Sequence, residues 1–123
     1  MNKRERKKFE KTLQQMREKK SAYIDMLRQL AISRTQRDAS GDISAFTSHP
    51  ADISTESDER EKVASLITRE TEILKEIDAA LERIEDGSYG KCESCGCDIT
   101  PPRLQALPFA TLCIECQAEA EKG

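Results

Sequence analysis

Several features that are common in globular and membrane proteins are scarce in this sequence of 123 residues. There is no tryptophan, aromatic residues make up 4%, and hydrophobic residues make up 37%. A large globular core is therefore not expected. No apolar run approaches the roughly 18 residues of a membrane span, and the charged first residues do not resemble a signal peptide. The sequence predicts a soluble, cytoplasmic protein that is either elongated or stabilised in part by a metal.

Charge is distributed unevenly along the chain. Residues 1–37 carry a net charge of +8, whereas residues 38–86 carry −9. A basic segment can indicate nucleic-acid binding, and the cations near the start of the chain are Lys3, Arg4, Arg6, Lys7 and Lys8. The alternative is that the basic and acidic segments pack together and neutralise each other.

Apolar residues recur at alternating steps of four and three in two segments, which is the a/d pattern of a coiled coil. The first series is Phe9, Leu13, Met16, Lys20, Tyr23, Leu27, Leu30 and Arg34. The second series is Val63, Ile67, Leu74, Ile77, Leu81 and Ile84, with Glu70 as its one break. The pattern predicts two long helices that pack along these seams.

The fold class predicted is mostly α: an antiparallel coiled-coil hairpin, then a small four-cysteine zinc finger and a short C-terminal helix. The hairpin is expected over residues 1–87, with arms at about 5–38 and 51–86 and a tip loop at 39–50. Pro50 suits a first helical turn, and Gly87 suits a helix stop. A parallel dimer of long helices is the alternative, but a short loop between two seam-bearing helices favours the antiparallel hairpin, in which the +8 arm lies against the −9 arm.

The cysteines predict a metal site. Cys92 and Cys95 form one Cys-x-x-Cys pair, and Cys113 and Cys116 form a second pair 17 residues later. Two such pairs are typical of one structural Zn²⁺, because four thiolates fill a tetrahedral site and leave no position for a substrate. The predicted zinc-finger module covers residues 88–123. Disulfides and a thioredoxin-like redox pair are weaker alternatives.

Two further residues could be mistaken for ligands. Cys97 is a possible spare thiol, which we interpret as a bystander, a substitute ligand for Cys95, or a redox-sensitive group beside the metal. His49 is the only histidine. It is expected at the opposite end of the hairpin from the cysteines, too distant to ligate the same ion.

The cysteine spacing also occurs in GATA-type DNA-binding fingers. Those fingers need positive charge around the metal to meet phosphate. Residues 91–123 contain three Lys or Arg against five Asp or Glu, and a zinc with four thiolates adds more negative charge. Direct sequence-specific DNA binding is therefore not expected.

The finger motifs resemble those of the DksA/TraR family of bacterial transcription regulators. The resemblance is most specific in Gly90-Lys-Cys-Glu-Ser-Cys-Gly96 and in Arg103-Leu-Gln-Ala-Leu-Pro108 followed by Leu112-Cys-Ile-Glu-Cys116. It implies a zinc-containing protein that binds RNA polymerase, with the hairpin in the secondary channel and the tip near the active centre. No enzymatic activity is implied. A coiled-coil adaptor or stress protein with another partner is the alternative.

The tip departs from the family pattern. Well-studied members have Asp-x-x-Asp-x-Ala, whereas this chain has His49, Asp52 and Ser54 at the first, second and last of those positions. Asp52 could act on polymerase or could simply stabilise the helix dipole from the first turn. At the positions where some members bind ppGpp, this chain has Arg69, Glu76, Leu107 and Gln117, so a ppGpp response is doubtful.

Overall fold

The computed structural model describes the backbone of residues 1–39 and 50–122 and the side chains of residues 1–33 and 58–122. Over these ranges the elements are the helices α1 (Lys3–Ala39), α2 (Pro50–Asp86), α3 (Pro101–Ala106) and α4 (Ile114–Lys122). An isolated antiparallel bridge joins Lys91 to Asp98. The mostly α prediction is confirmed. Within the described helices, none combines the length and apolarity that crossing a membrane requires.

The helix ends follow from local chemistry. Asn2 precedes α1, and its side chain accepts the backbone N–H of Glu5 at 2.8 Å while the Glu5 carboxylate faces the Asn2 N–H at 3.4 Å. This reciprocal arrangement is a capping box. The helix α2 begins at Pro50 and ends at Asp86, and Gly87 follows it with a φ of +84°. Glycine adopts this left-handed conformation without steric cost, so the predicted stop at Gly87 is confirmed.

The chain forms two compact units, which cut across both long helices. The base unit consists of Met1–Glu18 with Leu74–Gly123, and the arm unit is Lys19–Ile73. The base unit thus contains the cysteines together with the first half of α1 and the last turns of α2. The sequence boundary between a hairpin over 1–87 and a zinc-finger module over 88–123 stays a prediction.

The core of the base unit is small and apolar. Its largest fully buried side chains are Leu13 on α1, Ile77 on α2 and Leu104 on α3. The rings of Phe9 and Tyr89 also meet here, with their centroids 5.7 Å apart. Three separate helices therefore contribute to one core, which attaches the cysteine-bearing segment to the helices by apolar burial.

The arm unit buries Ile24 and Leu27 on α1 and, unusually, a carboxylate on α2. Glu70 is only 8% exposed, and its Oε2 lies 2.5 Å from the Nζ of Lys20. Among the described residues, this oxygen has no donor in good hydrogen-bonding geometry, so the contact acts as an ion pair. Lys20 and Glu70, each a charged residue of one predicted seam, therefore pair with each other.

The predicted heptad register of α1 is wrong at Tyr23 and Leu30, although Leu27 is buried as predicted. Tyr23 and Leu30 are 37% and 43% exposed, whereas Ile24 is 3% exposed and Ala31 is half-buried. The buried face therefore takes two successive steps of four residues, from Met16 to Lys20 and on to Ile24. An inserted step of this kind follows the 3.6-residue period of the straight helix more closely than a strict heptad does.

Candidate metal centre

A tight turn presents the first pair of cysteines. The backbone N–H of Gly96 bonds to the carbonyl of Cys92 at 3.0 Å, and the N–H of Cys92 bonds to the carbonyl of Cys97 at 2.8 Å. Gly96 has a φ of +77°, a conformation that the turn needs and that other residues rarely adopt. These bonds close the chain back on itself, so that Cys92 and Cys95 are carried by one compact loop.

The second pair of cysteines lies at the start of α4. Cys113 immediately precedes the helix and Cys116 lies in its first turn, where the N–H of Gln117 bonds to the carbonyl of Cys113 at 2.9 Å. A backbone bond of 2.8 Å from the N–H of Glu93 to the carbonyl of Thr111 joins this segment to the first loop. The two pairs are therefore brought together by main-chain contacts as well as by the side chains.

The four predicted ligand sulfurs converge. The Sγ atoms of Cys92, Cys95, Cys113 and Cys116 all lie within 4.8 Å of one another. With a Zn–S bond of about 2.3 Å, two sulfurs of a regular tetrahedron are about 3.8 Å apart. The Cys95 and Cys113 sulfurs are separated by 3.8 Å, which matches that edge. The donor set fits a structural Zn²⁺.

The clustered thiols differ in pKa, and their mutual repulsion when ionised favours a bound cation. Backbone N–H groups of Cys95 and Cys113 donate to the sulfur of Cys92 and lower the pKa of that thiol to about 6. The thiol of Cys116 differs: the contact of Cys116 with Cys113 is the main cause that raises its pKa to about 12. Crowded thiols cannot all ionise unaided, because each new thiolate repels those already formed. A divalent cation stabilises all four thiolates at once.

Two arginines anchor the metal-binding segment to neighbouring elements. Arg83, in the last turn of α2, donates from Nη2 to the carbonyl of Lys91 at 2.6 Å, one residue before the first cysteine. Arg103 on α3 donates from Nε to the carbonyl of Leu112 at 2.8 Å, one residue before the third cysteine. Both carbonyls are thus satisfied by cationic donors, which make stronger hydrogen bonds than neutral ones.

The fifth cysteine lies beside the cluster. The Sγ of Cys97 is 3.0 Å from the Sγ of Cys95, and both side chains are exposed. The sequence left Cys97 as a bystander, a substitute ligand for Cys95 or a redox-sensitive group beside the metal, and spacing alone did not give its distance from Cys95. The signal that could have found it is Gly96, because a glycine between two cysteines permits the tight turn that holds both in one loop.

The remaining predicted site residues are those of the tip and the positions considered for ppGpp. His49 lies outside the described residues, and the side chains of Asp52 and Ser54 do as well, although both residues belong to the first turns of α2. Of the positions considered for ppGpp, Gln117 is half-buried on α4 and donates to Glu121, and Leu107 is partly exposed. Neither side chain supplies a cation to an anionic nucleotide.

Comparisons with known proteins point to one family. Residues 87–122 match the model of the prokaryotic DksA/TraR C4-type zinc finger. Over almost its whole length the chain is similar to the solved structure of transcription factor DksA2 from Pseudomonas aeruginosa. That match has a TM-score of 0.78 and 30% identity, and it covers 98% of this chain and 86% of the other.

Two curated relatives match over shorter segments. The uncharacterised protein YteA of Bacillus subtilis (strain 168) is 44% identical over 82 residues, which are 67% of this chain and 34% of YteA. The RNA polymerase-binding transcription factor DksA of Escherichia coli (strain K12) is 47% identical over 53 residues, 43% of this chain and 35% of that protein. The matched segments therefore span about a third of the length of these relatives.

Proposed function

Because the chain belongs to the DksA/TraR family of C4-type zinc-finger proteins, we propose that it binds RNA polymerase and regulates transcription. The observation that carries this proposal is the similarity to DksA2, which extends over both long helices as well as the finger. A match confined to the finger would support the metal site alone. The E. coli relative is itself an RNA polymerase-binding transcription factor.

The zinc in this proposal has a structural role. Cys92, Cys95, Cys113 and Cys116 are the residues proposed to hold it, and four thiolates leave no coordination position for a substrate or an activated water. When bound, the ion supplies folding free energy to the base unit. Side chains of the base unit attach the finger to the helices. Leu104 and Tyr89 pack in the base core, and Arg83 donates to the Lys91 carbonyl just before the first cysteine loop.

The two long helices suit entry into a narrow protein channel. Each contains 37 residues, which at 1.5 Å per residue corresponds to about 55 Å of helix. The proposed docking route is the secondary channel of the polymerase, with the segment between α1 and α2 approaching the active centre. Asp52 is the tip residue proposed to act there, by electrostatic or hydrogen-bonding effects on the Mg²⁺-containing site. His49 and Ser54 flank it.

Direct binding to core RNA polymerase from the same host tests the proposal. The zinc-loaded protein is titrated onto polymerase at two salt concentrations, with and without a competitor that blocks the secondary channel. Saturable binding that the competitor abolishes supports the proposal. Absence of binding at micromolar concentration contradicts it and favours an adaptor with a different partner. Binding to free duplex DNA that falls steeply with salt would support the DNA-binding alternative.

A pair of substitutions separates docking from action at the tip. Asp52→Asn is expected to bind polymerase with unchanged affinity but to lose its effect on open-complex lifetime. Asp58→Asn, six residues further along the same helix and exposed, is the matched control and is expected to behave as the unmodified protein. Equal loss of effect in both variants would contradict a specific role for Asp52.

The nucleotide ppGpp is proposed to have little influence on this protein. Of the four positions considered, only Arg69 supplies a cation, whereas Glu76 is acidic and Leu107 and Gln117 are uncharged. Calorimetry of the polymerase complex with and without the protein tests this point. A ppGpp-binding event that requires the protein would contradict it.

A further inference from the structure

The metal centre contains five thiols within reach of a site that needs four. Cys97 is the extra one, and its sulfur lies 3.0 Å from that of Cys95. Two ligand sulfurs on one zinc are separated by about 3.8 Å, since each lies about 2.3 Å from the ion. The Cys95–Cys97 separation is shorter than this edge, so the two sulfurs do not occupy two corners of one tetrahedron. They are placed to compete for the same corner.

The backbone holds Cys97 at that corner. The carbonyl of Cys97 accepts the N–H of Cys92, and the N–H of the intervening Gly96 bonds back to the carbonyl of Cys92. The bridge between Lys91 and Asp98 closes the loop just outside these bonds. Cys97 is therefore part of the same turn as Cys95, with its main chain fixed on both sides.

Cys95 is the ligand whose sulfur lies 3.0 Å from that of Cys97, and the Cys97 thiol also interacts with Cys113. Cys92 is buried, and its sulfur accepts backbone N–H groups from Cys95 and Cys113. Cys95 and Cys97 are both exposed, so no packed neighbour prevents one side chain from turning outward while the other turns toward the metal. The redundancy is therefore greatest at the Cys95 corner of the site.

We propose that Cys95 and Cys97 are interchangeable ligands, so that the zinc site survives the loss of either thiol but not of both. The exchange breaks one Zn–S bond and forms another, with the proton of the incoming thiol passing to solvent or to the outgoing thiolate. No electron transfer is involved. The inference concerns the metal site alone and holds whether or not the chain binds RNA polymerase.

Zinc binding by alanine variants tests the proposal. Cys95→Ala and Cys97→Ala are each expected to bind one zinc per chain, with an affinity within roughly tenfold of the unmodified protein. Cys92→Ala and the double variant Cys95→Ala/Cys97→Ala are expected to lose affinity on the order of a hundredfold or more. The Co²⁺-substituted single variants should keep the absorption of a four-thiolate site. An affinity for Cys95→Ala as low as that for Cys92→Ala would overturn the proposal.

Alkylation of the unmodified, zinc-loaded protein gives a second test that needs no variant to fold. Iodoacetamide at limiting concentration modifies the thiol that is not bound to the metal. If Cys95 and Cys97 exchange as ligands, some singly modified chains should carry the label on Cys95 and others on Cys97. Fragmentation mass spectrometry locates the label. Modification of Cys97 alone would show that Cys95 is the fixed ligand and would overturn the proposal.

Discussion

The base unit and the arm unit are held together by different interactions. The base unit joins three helices through Leu13, Ile77 and Leu104, all fully buried, and adds a four-thiolate metal centre. The arm unit instead places the Lys20–Glu70 ion pair in its seam. Apolar burial stabilises without selecting a register, whereas a pair of opposite charges stabilises only when the two residues face each other. Apolar burial therefore gives the base unit stability, and the ion pair gives the arm unit a specific alignment of its helices.

Removal of zinc is expected to have the largest effect, and to act mainly on the base unit. Binding free energy at a structural zinc site is folding free energy, of order 10 kcal/mol in small zinc domains. A strong chelator, or Cys113→Ser, should lower the melting temperature and raise hydrogen exchange over residues 87–122. Exchange near Ile24 and Leu27 in the arm unit should rise much less. Far-UV spectra and melting curves that the chelator leaves unchanged would contradict this expectation.

Truncation of the base core is expected to have the next largest effect. Leu104→Ala should lower the free energy of unfolding by about 2–5 kcal/mol, because Leu104 is fully buried and its removal leaves a cavity. Leu107→Ala, on the partly exposed neighbour three residues later, is the matched control and should cost under about 1 kcal/mol. Urea denaturation measures both. Equal effects would mean that Leu104 does not carry the attachment of α3.

Loss of one partner of the ion pair tests the arm unit. Lys20→Met leaves the Glu70 carboxylate nearly buried without its cation and should cost about 1–3 kcal/mol. The double variant Lys20→Met/Glu70→Leu removes both charges and should recover most of that stability. Denaturation of the two single variants and the double variant completes the cycle. A double variant as unstable as Lys20→Met would contradict a role for the pair itself.

The smallest expected effect concerns a hydrogen bond at the edge of the base core. Tyr89 donates its hydroxyl to the carbonyl of Pro108 at 2.7 Å, and Tyr89→Phe should cost about 0.5–1.5 kcal/mol. Burial raises the pKa of Tyr89 from 10.0 to about 12. The unfolded chain therefore loses this proton at lower pH than the folded chain does. Stability should fall as pH rises from about 10 to about 12.

Comparison of the unmodified protein with Tyr89→Phe isolates this contribution from that of other groups that titrate at alkaline pH. The stability advantage of the unmodified protein should shrink and then reverse across that interval, because only its chain can ionise at this position and two pKa units correspond to about 2.7 kcal/mol. A difference that is independent of pH would show that the Tyr89 hydroxyl keeps its ordinary pKa in the folded protein.

Local patterns in the sequence predicted much of the fold and the metal cluster. The spacing of Cys92, Cys95, Cys113 and Cys116 is a short-range property, and their convergence needs only the turns that Gly96 and the start of α4 supply. The two long helices follow similarly from apolar periodicity and from the stops at their ends. These features depend on residues that are near one another in the chain.

Two details escaped prediction, one set by helix geometry and the other by a contact between distant residues. A strict heptad assigned Tyr23 and Leu30 to the seam, but the buried face passes through Ile24 instead, because each helix turns at 3.6 residues and not 3.5. Glu70 was predicted as the one break in the second seam, and Lys20 was predicted as a member of the first. Only the contact between the two helices shows that the charge of Lys20 compensates the charge of Glu70.

The contacts of Arg83 have a mechanical consequence. Its guanidinium binds the Lys91 carbonyl at 2.6 Å across the turn at Gly87, which backbone hydrogen bonds from Ser88 and Tyr89 to the Arg83 carbonyl also close. This contact makes the connection between α2 and the first cysteine loop rigid. A force applied to the first cysteine loop is thus delivered to the end of α2 and is not absorbed by rotation at the glycine. A flexible lysine at this position would provide a much softer joint, because its single ammonium lacks the planar, pre-organised donors of the guanidinium.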